Sequence, residues 1–141
     1  LSWSYCEKHK IDIPNPGGGN LSRNLDEMRN LQDYVRLSFT TEHRMMYVAM
    51  KDGRISNPVI LRIDPSVVYL QHTMYADMNA TTTKRTPNIG KSLEDFKKIH
   101  FSTVKAHKHF DLDENERPYF QAEVMVMTCI PKKYIINLDT F

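Results

Sequence analysis

The fold is decided by one stretch near the end of the chain, Arg117-Pro118-Tyr119-Phe120-Gln121-Ala122-Glu123-Val124-Met125-Val126. The residues from 118 to 128 are mostly aromatic, β-branched or otherwise apolar, which is typical of a strand. Because alternate residues of a strand share a face, the stretch predicts one apolar face and an opposite face that carries Gln121 and Glu123. Burying an unpaired carboxylate costs several kcal/mol, so Glu123 marks either a functional site or an edge strand with a solvated face.

The composition predicts one soluble globular domain. The chain has 141 residues, of which 40% are hydrophobic and 26% are charged, enough to bury a core but too short for two ordinary domains. Its sequence contains neither an apolar run long enough for a membrane span nor a secretory signal at its start. Cys6 and Cys129 are far apart and lie in no metal-like spacing, so we expect two free thiols in a reducing compartment.

Charge is unevenly distributed, although the formal net charge is only +2. Between residues 84 and 109 there are seven basic residues against two acidic ones. The next segment, 111–117, carries four acidic residues against one basic residue. The basic block is either a surface that attracts a polyanion or a solvated helix face, and the sequence leaves both interpretations open.

The hydrophobic patterns predict an α+β fold with a mainly antiparallel central sheet and flanking helices. Gly53 is expected to end one helix, and Ser92 with Asp95 resembles a capping box that begins another. The predicted helices cover 21–31 and 43–51 and start again after Ser92. The predicted strands cover 34–40, 59–63, 67–70, 118–128 and 134–138. Residues 15–20 and 73–90 are predicted to be loops, the second long enough to be functional.

The residues bear on three kinds of site chemistry. The close pair His107 and His109 has no third ligand at a typical spacing, which argues against a zinc site. Gly-x-Ser-x-Gly is absent, which argues against a serine hydrolase of that type. A ribonuclease remains open, because His43, Arg44 and Glu123 would supply an acid–base pair and a basic clamp. A non-catalytic nucleic-acid-binding module also remains open.

Four stretches resemble the DarT family of DNA ADP-ribosyltransferase toxins, and their order and spacing along the chain make the match more specific than any one of them. Gln121-Ala122-Glu123-Val124 has the Gln-x-Glu signature of ADP-ribosyltransferases, and Ile130-Pro131 and Tyr134-Ile135 follow it. The earlier stretches are Tyr34-Val35-Arg36-Leu37-Ser38-Phe39-Thr40 with Met45-Met46-Tyr47, then Ile63-Asp64-Pro65, then Asp77-Met78-Asn79-Ala80. The resemblance extends from Leu1 to about Leu138.

The resemblance implies an ADP-ribosyltransferase-like domain over residues 1–141 that uses NAD as a substrate and needs no metal. By this resemblance Glu123 would stabilise the transition state and Gln121 would orient the acceptor base. Ser38 and Tyr47 would contact the nicotinamide half of NAD, with Met46 packed nearby. Asn79, Lys84 and Arg85 would bind single-stranded DNA. The implied partner is an antitoxin of the ADP-ribosyl-glycohydrolase type, and the implied location is the bacterial cytoplasm, with no membrane contact.

Two departures from the family pattern qualify these expectations. Thr41-Glu42-His43-Arg44 stands where the thymine-modifying branch has Pro-Arg-Ser, which favours the guanine-modifying branch. Either the arginine is displaced or its role falls to His43 or Arg44. The family's first strand, with its NAD-holding His/Thr motif, has no counterpart in this sequence. We therefore expect a domain truncated at its N-terminus that binds and cleaves NAD poorly.

Overall fold

The computed structural model of the chain describes residues 1–14, 19–106 and 108–140. Most of the loop predicted at 15–20 and one member of the histidine pair, His107, therefore lie outside the described residues.

A four-stranded antiparallel sheet organises the described part of the chain. Its strands are β1 (Tyr34–Ser38), β2 (Met74–Ala76), β3 (Ile89–Gly90) and β4 (Glu123–Met127), and their order across the sheet is β1-β4-β2-β3. Glu123 is the first residue of β4 and lies between Ser38 of β1 and Ala76 of β2. The glutamate is therefore inside the sheet and not on an edge strand.

Short helices surround the sheet. They are α1 (Trp3–Lys8), α2 (Asn20–Met28), α3 (Arg44–Lys51), α4 (Leu93–Lys97) and α5 (Phe101–Val104). The 3₁₀ helices cover Pro65–Tyr69, His109–Asp111, Arg117–Gln121, Lys132–Tyr134 and Leu138–Thr140. The predicted capping box is confirmed, since the Ser92 side chain accepts the Asp95 amide hydrogen and Asp95 accepts the Ser92 amide hydrogen. Gly53 follows the end of α3 with φ of 72°, a backbone conformation that glycine adopts without strain.

The two faces of the sheet bury two apolar clusters. One cluster packs against the face that carries Val124 and Val126 of β4, and it consists of Val67, Tyr75, Ile99, Val104, Ala122, Val124 and Val126. The other lies on the face that carries Met125, and it consists of Leu31, Tyr34, Ala76, Ala80 and Met125. Because β-strand side chains alternate, Glu123 and Arg36 share this second face with Met125.

Several predicted strands are wrong. The segment 59–63 forms a single antiparallel bridge, from Ile63 to Ile135, and the segment 67–70 is largely a 3₁₀ helix. The segment 134–138 consists of the end of one 3₁₀ helix, the bridge residue Ile135, a turn and the start of another 3₁₀ helix. In the stretch 118–128 only Glu123–Met127 is a strand, and Gln121 ends a 3₁₀ helix. Both Pro65 and Pro118 lie in the first turn of a 3₁₀ helix, because the fixed φ of proline suits that position and the missing N–H is not needed there.

Two further features escaped the pattern analysis. The loop predicted at 73–90 contains the short strands β2 and β3 at its ends. The helix α1 was not predicted, although Ser2 caps it by accepting the Tyr5 amide hydrogen at 3.4 Å.

Candidate active site

Glu123 is a buried carboxylate whose oxygens are held by the protein. Only 6% of the residue is exposed. Its Oε2 accepts a hydrogen bond from Arg36 Nη2 at 2.6 Å and another from the backbone N–H of Ala80 at 2.9 Å. Its Oε1 accepts from Arg36 Nε at 3.2 Å. Burial of this charge is therefore compensated by a bidentate arginine and a backbone donor.

Arg36 connects three other groups to this glutamate. Its Nη1 donates to Asp26 Oδ1 at 3.0 Å and to Thr81 Oγ1 at 3.3 Å, while its Nη2 also donates to Asn79 Oδ1 at 3.0 Å. Asp26 belongs to α2 and is buried, with 6% of its surface exposed. A planar guanidinium is suited to this arrangement because it presents five N–H donors in a fixed geometry.

The segment 79–82, which we call the covering loop, is tied to this network and to α2. Asn79 Oδ1 accepts hydrogen bonds from the amide and the hydroxyl of Thr81, both at 2.9 Å. Arg29, just after α2, donates to the carbonyl oxygens of Ala80 at 2.5 Å and Thr82 at 2.7 Å. These contacts hold the Ala80 N–H in place to donate to Glu123.

A cleft of about 1260 Å³ opens in front of Glu123. The charged residues described along its wall are mostly basic, and the acidic ones among them are Glu114 and Glu123. The basic and imidazole groups that line it are Arg36, His43, Arg44, Arg54, Lys84, Arg85, His109 and Arg117. Such a wall favours an anionic ligand, for example one that carries phosphates.

Burial and neighbouring charges shift the pKa values of three groups around Glu123, namely Asp26, Arg36 and His43. Burial raises the pKa of Asp26, and the Glu123 charge adds to this effect while Arg36 opposes it. Burial alone would lower the pKa of Arg36, but Glu123 and Asp26 outweigh it, so the net shift is upward and the guanidinium stays charged. Burial and the Arg36 charge lower the pKa of His43 against the opposing effect of Glu123. His43 Nδ1 accepts the Met45 amide hydrogen at 3.2 Å, so the neutral ring carries its proton on Nε2.

His109 is a second imidazole on the cleft wall, and it is 8% exposed. Among the described residues neither of its ring nitrogens has a hydrogen-bond partner. The ring packs edge-on against Phe110 and Phe120, with centroid distances of 5.4 and 5.9 Å. Burial, together with Arg44, Arg117 and His43, lowers the pKa of His109, so this imidazole is neutral at physiological pH.

The structure brings six of the nine residues predicted for the site to one cleft. They are His43, Asn79, Lys84, Arg85, Gln121 and Glu123. Ser38, Met46 and Tyr47 are not among the described residues that line it. The hydroxyl of Ser38 bonds to the backbone of Thr40, and Tyr47 is 60% exposed. The NAD contacts predicted for these three stay predictions.

The sequence analysis missed Arg36, Asp26 and the Ala80 amide. Arg36 stands two residues before Ser38, and strand alternation places both on the face that carries Glu123. A buried carboxylate requires a cationic or hydrogen-bonding partner, and an arginine on the same predicted face was an available signal. Asp26 and Ala80 had no comparable signal, because they reach the site through the packing of α2 and the covering loop.

Within the described residues no three His, Cys, Asp or Glu side chains are grouped so that they could hold a metal ion. In the same residues, none of the helices has the length and apolar character needed to cross a bilayer.

Two solved structures resemble this chain, both of DarT from Thermus sp. 2.9. One is in complex with carba-NAD+, shares 18% identity and has a TM-score of 0.56, covering 87% of this chain and 60% of that one. The other is in complex with ADP-ribosylated single-stranded DNA, shares 17% identity and also has a TM-score of 0.56, covering 95% of this chain and 62% of that one. This chain thus spans about 60% of the length of those proteins.

The likeness establishes the class of the fold. An antiparallel sheet that carries a buried glutamate, flanked by helices and open to a basic cleft, is an ADP-ribosyltransferase-like α+β fold. The sequence profile described as "ssDNA thymidine ADP-ribosyltransferase, DarT" matches residues 18–140, and the chain belongs to the DarT family. A search of curated protein sequences finds no match.

Proposed function

We propose that this protein transfers ADP-ribose from NAD to a base of single-stranded DNA. The observation that carries the proposal is the buried Glu123, held by Arg36 and Ala80 at the wall of a basic cleft. Membership of the DarT family supports the same chemistry.

Among the described residues three hydrogen bonds reach the carboxylate of Glu123, which leaves one acceptor position for the substrate. A carboxylate has about four lone-pair sites. Oε2 already accepts two hydrogen bonds, from Arg36 and Ala80, whereas Oε1 accepts one, from Arg36. The remaining site on Oε1 is available to the 2′-hydroxyl of the nicotinamide ribose. Cleavage of the bond between ribose and nicotinamide passes through an oxocarbenium-like state, and a carboxylate beside it stabilises the positive charge.

The size and charge of the cleft fit two substrates at once. Ligand pockets usually measure about 300–1,000 Å³, and this cleft exceeds that range at about 1260 Å³. Its basic wall would hold the diphosphate of NAD and the phosphates of a DNA strand. Gln121 lines the same cleft and would orient the acceptor base. A base inside a duplex cannot reach such a wall without unstacking, so single strands are the expected substrate.

Mass spectrometry of DNA oligonucleotides incubated with the protein and NAD tests the proposal. We expect one product that is heavier by a single ADP-ribosyl group, formed on single strands and much less on the matched duplex. Oligonucleotides that contain thymine but no guanine, and the reverse, identify the modified base. Cleavage of an RNA oligonucleotide incubated in parallel would instead support the ribonuclease, and binding of oligonucleotides without either product would support a non-catalytic module.

Glu123→Gln is the informative variant in this assay. Loss of one transition-state electrostatic contact typically lowers the rate about 100- to 1,000-fold. Circular dichroism should show the fold retained, because the change is nearly isosteric. Transfer by the variant near the wild-type rate would contradict the assignment of Glu123.

We also propose that the protein acts as a toxin in the bacterial cytoplasm, countered by an antitoxin that hydrolyses the ADP-ribosyl group from DNA. A bulky group on a template base obstructs copying of the strand. Expression of the wild type should arrest bacterial growth, and expression of Glu123→Gln should not. Equal arrest by both proteins would argue against toxicity through this reaction.

A further inference from the structure

Asp26 is a buried carboxylate, and within the part of the chain that the structure describes its hydrogen bond to the site is the one with Arg36. Its Oδ1 accepts from Arg36 Nη1 at 3.0 Å, on the edge of the guanidinium that Glu123 does not use. Arg36 in turn holds both oxygens of Glu123. Asp26, Arg36 and Glu123 therefore form one connected group, which we call the buried triad.

The charges of the buried triad suit NAD cleavage only when all three members are ionised. Arg36 and Glu123 taken alone have no net charge, so the pair would attract a developing cation weakly. With Asp26 ionised the triad carries one net negative charge. Because both carboxylates are buried, such a charge stabilises an oxocarbenium-like state more than it would in bulk water.

Asp26 also fixes the direction of Arg36. The guanidinium is planar, so a hydrogen bond at Nη1 restrains the orientation of Nη2 and Nε as well. Thr81 supports the same nitrogen at 3.3 Å, and Asn79 supports Nη2 at 3.0 Å. The carboxylate of Glu123 is thus positioned by contacts that begin on α2.

We propose that Asp26 is a positioning residue for Glu123, which acts through Arg36 to fix the carboxylate and to give the buried triad its net negative charge. The proposal rests on the proposed function, since it concerns the cleavage of NAD.

A dependence on pH follows, because protonation of Asp26 would remove the net charge. The groups that face Asp26 are Arg36 from β1, Glu123 from β4 and the neutral indole of Trp3 from α1. Arg29, close by at the end of α2, is directed to the carbonyl oxygens of the covering loop. Burial and Glu123 raise the pKa of Asp26 more than Arg36 lowers it. The rate of NAD cleavage should therefore decline with acid at a higher pH than an ordinary aspartate would produce.

The test is nicotinamide release from NAD without DNA, measured from pH 8 downwards for the wild type and Asp26→Asn. Asparagine keeps an oxygen acceptor for Arg36 but removes the charge. We expect kcat to fall about 10- to 100-fold at neutral pH with KM changed less than about threefold. The acid decline of kcat should also disappear from the variant. Asp33→Asn, which alters an exposed carboxylate bonded to Ser4, is the matched control.

Asp26→Glu separates charge from packing, because it keeps the charge on a longer side chain. This variant should retain more kcat than Asp26→Asn and should keep an acid decline. Equal losses in the two variants would overturn the proposal, as would a kcat for Asp26→Asn within twofold of the wild type. A wild type that releases no nicotinamide at any pH, even at high concentrations of NAD and protein, would refute the proposed function itself, which is a distinct outcome.

Discussion

Arg36 and Glu123 lie on adjacent strands, 87 residues apart in sequence, and form a bidentate ion pair. The register explains the contact. Ser38 is directly opposite Glu123 and Arg36 is opposite Met125, so Arg36 is a diagonal neighbour of Glu123 on one face of the sheet. The position of the key carboxylate is therefore set by strand pairing, which is more rigid than a loop.

Arg36→Lys should impair NAD cleavage although it conserves the charge. An ammonium group cannot contact Glu123 by two parallel hydrogen bonds and also reach Asp26 and Asn79, as the guanidinium does. Misplacement of a catalytic group by about 1 Å costs about 100-fold in rate, and a loss of that order is expected in nicotinamide release. Arg54→Lys, which changes an arginine of the cleft wall whose side chain is 47% exposed, is the comparison. Similar losses in both variants would show that Arg36 has no special position.

Replacing Lys84 and Arg85 together with alanine should weaken single-stranded DNA binding. Both are exposed and line the cleft, where they would neutralise phosphates. Each lost phosphate contact should reduce the slope of log affinity against log salt by about 0.7. Fluorescence anisotropy over a salt series measures this slope. Nicotinamide release without DNA should change little.

The matched control is the double alanine variant of Lys97 and Lys98, which belong to the same basic block but do not line the cleft. Lys97 pairs with Glu94 at 3.0 Å, and Lys98 donates to Asn88 at 3.0 Å. If this control weakened DNA binding equally, the whole basic block and not the cleft would be the binding surface.

Phe110→Ala should also weaken single-stranded DNA binding, by a mechanism that does not depend on salt. Phe110 lines the cleft and is 70% exposed, so its ring is available for a base to stack on. Stacking of one base on an aromatic ring contributes about 1–3 kcal/mol. Tyr69→Ala removes another aromatic ring, 88% exposed and outside the cleft lining, and should have no effect. A change in the salt slope of Phe110→Ala would argue against stacking.

Asp95→Asn should lower thermal stability at neutral pH and have less effect in acid. Hydrogen bonds from Ser92 and Asn88 lower the pKa of Asp95 to about 2. Because the folded-state pKa lies below the ordinary value of 3.8, the stabilisation is complete above that value and is lost as the pH falls towards about 2. The difference in Tm between wild type and variant should shrink over this window. Glu94→Gln, on the same helix, is the control, and a constant difference for Asp95→Asn would contradict the prediction.

Elements that depend on local signals were predictable from the sequence. The strand at Tyr34–Ser38, the helix at Arg44–Lys51 and the capping box at Ser92 all rest on neighbouring residues. The strand predicted at 59–63 is wrong because an apolar run does not by itself require burial. Val59, Ile60 and Leu61 are 61%, 39% and 47% exposed.

In the segment 59–63 the side chain of Asn137 forms hydrogen bonds that a neighbouring strand would otherwise supply. Asn137 donates from Nδ2 to the Ile60 carbonyl oxygen at 3.0 Å and accepts the Arg62 amide hydrogen at 2.8 Å. This long-range contact satisfies the backbone groups of Ile60 and Arg62 without a strand. No local sequence pattern predicts it.

The site was predictable to the extent that it follows from the stretch around Glu123. A carboxylate within an apolar run indicates a functional residue, and in the structure Gln121 and Glu123 line one cleft. The prediction that Gln121 and Glu123 share one face of a strand is wrong, since Gln121 lies in a 3₁₀ helix. The contacts to Asp26 and Ala80 depend on how separate segments pack, and that information is not local.

Both ring nitrogens of His109 lack a hydrogen-bond partner among the residues that the structure describes, and this arrangement lowers folding stability. A buried polar group without a partner costs about 1–3 kcal/mol, which is a sizeable share of the 5–15 kcal/mol that holds a typical domain together. A phenylalanine or leucine between Phe110 and Phe120 would avoid this cost. Variants of this protein selected only for heat resistance should therefore accumulate changes at residue 109, whereas selection that also demands activity would show whether the imidazole is needed there.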